Sequence, residues 1–262
     1  MVLSWFRNRR RRRICAQPFP EPWQEVLDRD VEHYRRLGVE EQSKLRDDLR
    51  VLVAEKTWTG IDDLVVTDEM KVNVAAQASL LLLGFEHDYF SRTSEIILHP
   101  RSYKAALRYR QGAVIVESSP HHLGQAYYRG PVVLSWTAAR ASGRDEDDGR
   151  NVVLHEFAHK LDMADDLSDG TPVLHSRAAY RDWVKVMSLA FNELRDRTDR
   201  GRATLLDKYG ASNEAEFFAC ATECFFEKPR RLRERHPDLY DVLRQFYRQD
   251  PEVRMERRVE GA

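Results

Sequence analysis

The spacing of apolar residues changes period twice along this chain of 262 residues, and that double change limits the folds open to it. Trp23, Val26, Leu27, Val31 and Tyr34 recur at three- and four-residue steps until Gly38, as in a helix with one buried face. Leu45, Leu49, Leu52 and Val53 make a second stripe, and Asp68 to Gly84 reads as a third helix, apolar on nearly every side. The period then shortens. Glu95 to His99, Gly112 to Val116 and Pro131 to Trp136 are β-branched runs between breakers and read as strands of one sheet. Ser142 to Arg150 is a loop, after which helical spacing returns over Asn151 to Ala164, Ser176 to Arg197, Asn213 to Glu227 and Pro237 to Gln249. Helices, a small sheet and helices again predict an α+β fold rather than alternating βαβ units. One domain over 21–262 is expected, with helices in 21–90, a small mixed sheet in 91–140 and helices in 151–250.

Composition narrows the class. With 42% hydrophobic and 32% charged residues the chain reads as a globular protein, and a net charge of −1 gives no reason to expect a nucleic-acid or membrane partner. Val74 to Phe85, the most apolar stretch, falls short of the roughly 20 residues that span a bilayer. Three cysteines are too few for a disulfide framework, and no secretory signal is visible, so a cytoplasmic location is expected. Residues 1–20 carry Arg7 and Arg9 to Arg13 and close with Pro18 and Pro20. They read as a disordered, solvated basic tail, with phosphates or an acidic surface as the alternative partner.

The chemistry centres on Leu154-His155-Glu156-Phe157-Ala158-His159. Four residues apart on a helix, His155 and His159 project from one face and suit two positions of a tetrahedral zinc ion. Glu156 lies beside the first of them, placed to take the proton of a metal-activated water as general base. Uncharged Phe157 and Ala158 fit a buried helix, where two histidines and a glutamate without a partner would be costly.

A third protein ligand is needed. Lys160, Leu161, Asp162 and Met163 follow His159 without the glycine and histidine of a metzincin, which leaves a carboxylate on a later helix. Glu216 fits, in the first turns of a helix that Ser212 or Asn213 can cap, among bulky apolar neighbours. Glu223, seven residues on, returns to the same face and reads either as support for a ligand or as the alternative third ligand.

HEFAHKLD followed downstream by YGASNEAEFFA resembles the Mlc titration factor A family of zinc-dependent peptidases, whose core is similar to the gluzincin domain of anthrax lethal factor. The resemblance extends to Phe246-Tyr247-Arg248-Gln249-Asp250-Pro251 and covers most of the chain except the basic tail. It implies a mainly helical zincin-like metallopeptidase, an aminopeptidase by inclination, holding one zinc per chain through His155, His159 and Glu216. Glu156 is then the base and Tyr209 the donor to the oxyanion. As a rival, the resemblance also implies a regulatory protein that sequesters a transcriptional repressor such as Mlc, with zinc structural or switching. In gluzincins an edge strand holds the extended substrate, a role this resemblance assigns to Pro131–Trp136, with a plain core strand as the alternative.

Asp162, three residues after His159, reads either as an acceptor for a ligand imidazole or as a solvated carboxylate. Cys220 and Cys224 read as core residues rather than ligands. His121 and His122 read as surface or substrate-rim residues.

Overall fold

The computed structural model describes residues 2–86, 89–101, 124–126, 130–145 and 149–259. It is mainly helical around a small sheet, as the spacing predicts. The expected strand Gly112–Val116 and the pair His121 and His122 lie outside the described residues.

The basic segment departs from expectation. Val2–Cys15 is a helix, α1, not a disordered tail. Its later half is held against α4, Val39–Glu55, where Arg11 makes a two-pronged pair with Glu55 at 2.9 and 2.6 Å. Arg50 of α4 adds bonds to the carbonyls of Ile14, Cys15 and Gln17. Partners distant in sequence order this segment, and local composition does not record them.

Before α4, the first periodic run breaks at Val31 into α2, Glu21–Asp30, and α3, Glu32–Arg35. A short strand β1, Thr57–Gly60, precedes α5, Asp68–Leu80, and β2, Glu95–His99, pairs parallel to β1. Parallel neighbours need a crossover, and α5 supplies it. Thr67 caps α5 by accepting the Met70 N–H, and its middle is buried all round.

The sheet is mixed, in the order β1-β2-β4-β3, where β3 is Gly124–Ala126 and β4 is Val132–Ser135. β4 runs parallel to β2 and antiparallel to β3. Pro131–Trp136 is therefore an interior strand with all four of its β residues buried, and the edge-strand role is corrected. The edge on that side is β3, which lies against the helix carrying His155 and His159.

Trp136, expected to end a strand, begins α6, Trp136–Arg144; Ser135 caps that helix by accepting the Ala138 N–H. Then come α7, Val152–Asp162, a 3-10 turn at Met163–Asp165, and α8, Arg177–Asp199. A second 3-10 turn, Lys208–Ala211, leads into α9, Glu214–Glu227, followed by α10, Pro229–Arg235, α11, Pro237–Tyr247, and α12, Pro251–Val259.

The core lies between the sheet and these helices. Phe157 of α7 packs edge-on against Phe90 at 4.8 Å. Behind α9, Trp183, Phe218 and Phe246 form a cluster with edge-on contacts, joined through Phe246 to Tyr247 and Phe225. Such aromatic contacts add roughly 0.5–1.5 kcal/mol each beyond their burial. They hold α9 against α8 and α11. Among the described residues no helix is long and apolar enough to cross a membrane.

Candidate metal centre

The centre is built from the facing sides of α7 and α9. Asn151 starts α7: its side-chain oxygen accepts the N–H groups of Val153 and Leu154 at 3.1 and 3.0 Å. Two carboxylates of α9 grip the same residue. The Asn151 N–H donates to Glu223 Oε2 at 3.1 Å, and its amide nitrogen donates to Glu227 Oε1, also at 3.1 Å. His33 of α3 meets that Glu227 oxygen at 3.0 Å. Glu216, Glu223 and Glu227 recur at seven and four residues and form one stripe on α9. Asn213 rather than Ser212 caps α9, accepting the Glu216 N–H at 3.0 Å, while Ser212 donates to the Tyr209 carbonyl.

The stripe meets the two histidines. His155 Nε2 lies 3.0 Å from Glu216 Oε2 and 3.3 Å from His159 Nε2; His159 Nε2 lies 3.4 Å from the same Glu216 oxygen. A tetrahedral ion with bonds of about 2.0–2.1 Å separates its ligand atoms by roughly 3.3 Å. Three donors at these separations fit such a metal, with a fourth direction left for water or substrate. Two imidazole nitrogens facing each other at 3.3 Å need a proton or a cation between them, and the two histidines with the Glu216 carboxylate can hold either.

Glu223 contacts the opposite nitrogen of His155, Nδ1, and so supports that ring rather than completing the triangle. Cys220 approaches the same ring and, with His155 and Glu223, forms a second grouping of potential ligands within 4.8 Å. Burial pushes its thiol up to about 11, against the opposing pull of His155, so it is a neutral thiol beside an already partnered nitrogen. Cys224 is likewise pushed up by burial, to about 12, and both are core residues.

Charge is concentrated here. Burial opposes a charged His155, but Glu223, Cys220 and Glu216 outweigh it and hold its pKa well above the usual value. Glu216 is driven the other way: burial raises it, and the two histidines overcome that and hold it far below the ordinary range. Glu156 is pushed up to about 8, first by burial and then by Glu216 and Glu223, with His155 pulling against them. Lys160, next to His159, is lowered to about 8 by burial and donates to the Gly130 carbonyl at 2.9 Å.

Tyr209 stands at the rim, half exposed, with its ring 6.2 Å from that of His155. Burial, with Glu216 next, raises its phenol to about 12, so it stays a donor at neutral pH. The Asp207 carboxylate, itself paired with Arg150 at 2.7 Å, accepts the Tyr209 N–H and fixes the turn. Asp162 is buried, not solvated; its Oδ2 accepts from Ser168 at 3.5 Å, and its Oδ1 finds no hydrogen bond among the described residues. Nor does His159 Nδ1, so Asp162 does not hold that imidazole.

The structure thus brings His155, His159 and Glu216 together, with Glu156 buried beside His155 on α7 and Tyr209 at the rim. Sequence reasoning missed Asn151, Glu227, His33 and Lys160. An asparagine just before a helical apolar run is a cap signal, and the four-residue step from Glu223 to Glu227 was visible. His33 was not, being 194 residues from its partner.

Fold and site together describe a metallopeptidase-like protein. The chain belongs to the glucose-regulated metallo-peptidase M90 family, whose model matches residues 5–248. An uncharacterized Synechocystis protein is 32% identical over 251 residues, covering 95% of this chain and 90% of that one. Mlc titration factor A of Edwardsiella ictaluri is 31% identical over 244 residues, 92% of each chain. The Yersinia pestis protein of the same name is 30% identical over 260 residues, covering 97% and 92%. The resemblance carried by the two motifs is borne out, and the match also takes in most of α1.

Proposed function

We propose that the chain is a zinc-dependent peptidase of gluzincin type, with one zinc ion per chain held by His155, His159 and Glu216. The observation that carries this is the triangle of donor atoms at 3.0, 3.3 and 3.4 Å, two histidines and one carboxylate. The chemistry a zinc ion supplies when bound is Lewis acidity toward a carbonyl and a water pKa lowered towards about 7.

The remaining tasks fall to side chains. Glu156, buried and next to His155, is the base: its raised pKa of about 8 lets it accept a proton and return it to the leaving amine. Tyr209 donates its hydroxyl to the negative charge that develops on the carbonyl oxygen. Glu223 fixes the His155 ring with Nε2 toward the centre. Family resemblance supports action on amino-terminal residues, and free cysteines at 15, 220 and 224 support a reducing, cytoplasmic setting.

Metal content and peptide hydrolysis on one preparation test the proposal. Wild type is expected to carry one zinc and hydrolyse peptides; Glu156→Gln keeps the zinc and loses turnover, and Glu216→Ala loses both. A wild-type chain without zinc would sink the metal assignment. Equal hydrolysis of free and N-acetylated peptides would sink the aminopeptidase detail alone.

A second reading rests on the name Mlc titration factor A that two of the compared relatives carry. On it, the chain binds a repressor, with zinc structural or switching. Binding of Mlc that survives both metal removal and Glu156→Gln would assign that role to a separate surface.

A further inference from the structure

Helix α1 presents two unlike faces. At 100° per residue, Arg11, Ile14 and Cys15 point one way, and these are its partly buried residues. Arg11 pairs with Glu55 and lies 4.3 Å from the Tyr89 ring centre; the Ile14 and Cys15 carbonyls accept from Arg50. Trp5, Phe6, Arg9, Arg12 and Arg13 fall within roughly 75° of the opposite direction, and all five are exposed. The helix is thus fastened by its second half, and its first half carries exposed side chains away from the docked face.

What that outer face offers is specific. Trp5 and Phe6 are 50% and 58% exposed, two large aromatic side chains at one end of a cationic helix. They meet edge-on at 5.0 Å, and the Arg9 guanidinium lies 5.3 Å from the Trp5 ring centre. Tryptophan is enriched where hydrocarbon meets headgroups, because its ring is apolar and its N–H wants a polar partner. Arginines beside it match anionic headgroups. A duplex nucleic acid would satisfy the arginines and leave the aromatic pair without an apolar phase.

We propose that α1 is a peripheral docking element for an anionic lipid bilayer, with Trp5 and Phe6 entering the interface and Arg9, Arg12 and Arg13 engaging lipid phosphates. This is surface binding and needs no membrane-spanning segment. It would hold the metal centre near a membrane face while leaving its residues untouched, since α1 supplies none of them.

The test is co-sedimentation of the full chain with extruded vesicles. Vesicles of phosphatidylcholine alone are compared with vesicles containing about 30% phosphatidylglycerol, at about 0.1 M salt. Wild type is expected on the anionic vesicles only. Joint substitution Arg9→Glu, Arg12→Glu and Arg13→Glu should weaken partitioning at least about tenfold, and Trp5→Ala with Phe6→Ala should do so by a similar factor. Matching circular dichroism and thermal midpoints exclude unfolding as the cause. No binding, or equal binding to both vesicle types, would overturn the proposal. So would full vesicle affinity in the aromatic variant together with equally strong retention on duplex DNA, which would mark a general polyanion site instead.

Discussion

Glu223 bonds to Nδ1 of His155 and thereby turns Nε2 of the same ring toward Glu216, 3.0 Å away. The same carboxylate accepts the Asn151 N–H at the start of α7, so one side chain sets both the ligand ring and the helix that bears it. Supporting carboxylates of this kind are worth about 10–100-fold in metal affinity. Glu223→Gln is therefore expected to weaken zinc binding by about that factor in competition with a chromogenic chelator. An unchanged affinity would show that the His155 orientation is set by packing alone.

Tyr209 tests the oxyanion assignment. Tyr209→Phe keeps the ring that faces His155 at 6.2 Å and removes only the hydroxyl. Loss of one such donor costs roughly 100–1,000-fold in kcat, with KM little changed. A variant that raises KM at constant kcat would place Tyr209 in substrate binding instead.

Metal uptake should depend on pH with a defined sign. Although burial works against it, Glu223, Cys220 and Glu216 keep His155 protonated well above its usual pKa in the metal-free protein. The proton must leave before Nε2 can bind a metal. Affinity is expected to strengthen by roughly tenfold per pH unit below that raised pKa. Calorimetric titration in two buffers of different ionisation enthalpy reads the protons released, and a pH-independent affinity would contradict the charge assignment.

Much of this architecture is readable from local patterns. α4, α8, α9 and α11 carry apolar stripes, and caps such as Asn213 and Ser176 mark where two of them begin. The His155–His159 step and the first-turn position of Glu216 follow from the same geometry. What stayed hidden depends on partners far along the chain. α1 is a run of like charges that reads as solvated until Glu55, 44 residues from Arg11, is beside it. β1 is four residues long and is defined by pairing with Glu95–Leu98. β4 looks like any buried strand, and only its antiparallel neighbour β3 makes it interior.

Gly170 links the loop after α7 to the start of α9. It has φ +76°, and a Cβ there would lie 2.3 Å from the Glu214 carbonyl oxygen, two residues before Glu216. Gly170→Ala is expected to cost about 2–4 kcal/mol, from left-handed backbone strain and overpacking. It should also weaken zinc binding, because the first turn of α9 must shift. Gly201 is the control: φ is +64° but nothing lies within 4 Å of its added Cβ. Urea unfolding of both variants separates the two effects, and equal losses would show that crowding at Gly170 is absorbed elsewhere.

Asp162 governs how stability changes with pH. Burial pushes its carboxyl from 3.8 to about 6, against the N–H groups of Gly170 and Thr171 and the nearby His159. The folded chain therefore holds this proton more tightly than the unfolded chain does. Below about pH 4 the group is protonated in both states and carries no penalty. As pH rises towards 6 the unfolded chain ionises first, and the folded state loses up to about 3 kcal/mol, at 1.36 kcal/mol per pKa unit. Asp162→Asn abolishes the titration with almost no change in side-chain size. In chelator-treated protein the variant is expected to gain on wild type between about pH 4 and 6 and to keep a constant advantage above that. Urea midpoints across this range decide it: a difference between the two proteins that did not change with pH would mean that the Asp162 carboxylate is as well accommodated folded as unfolded.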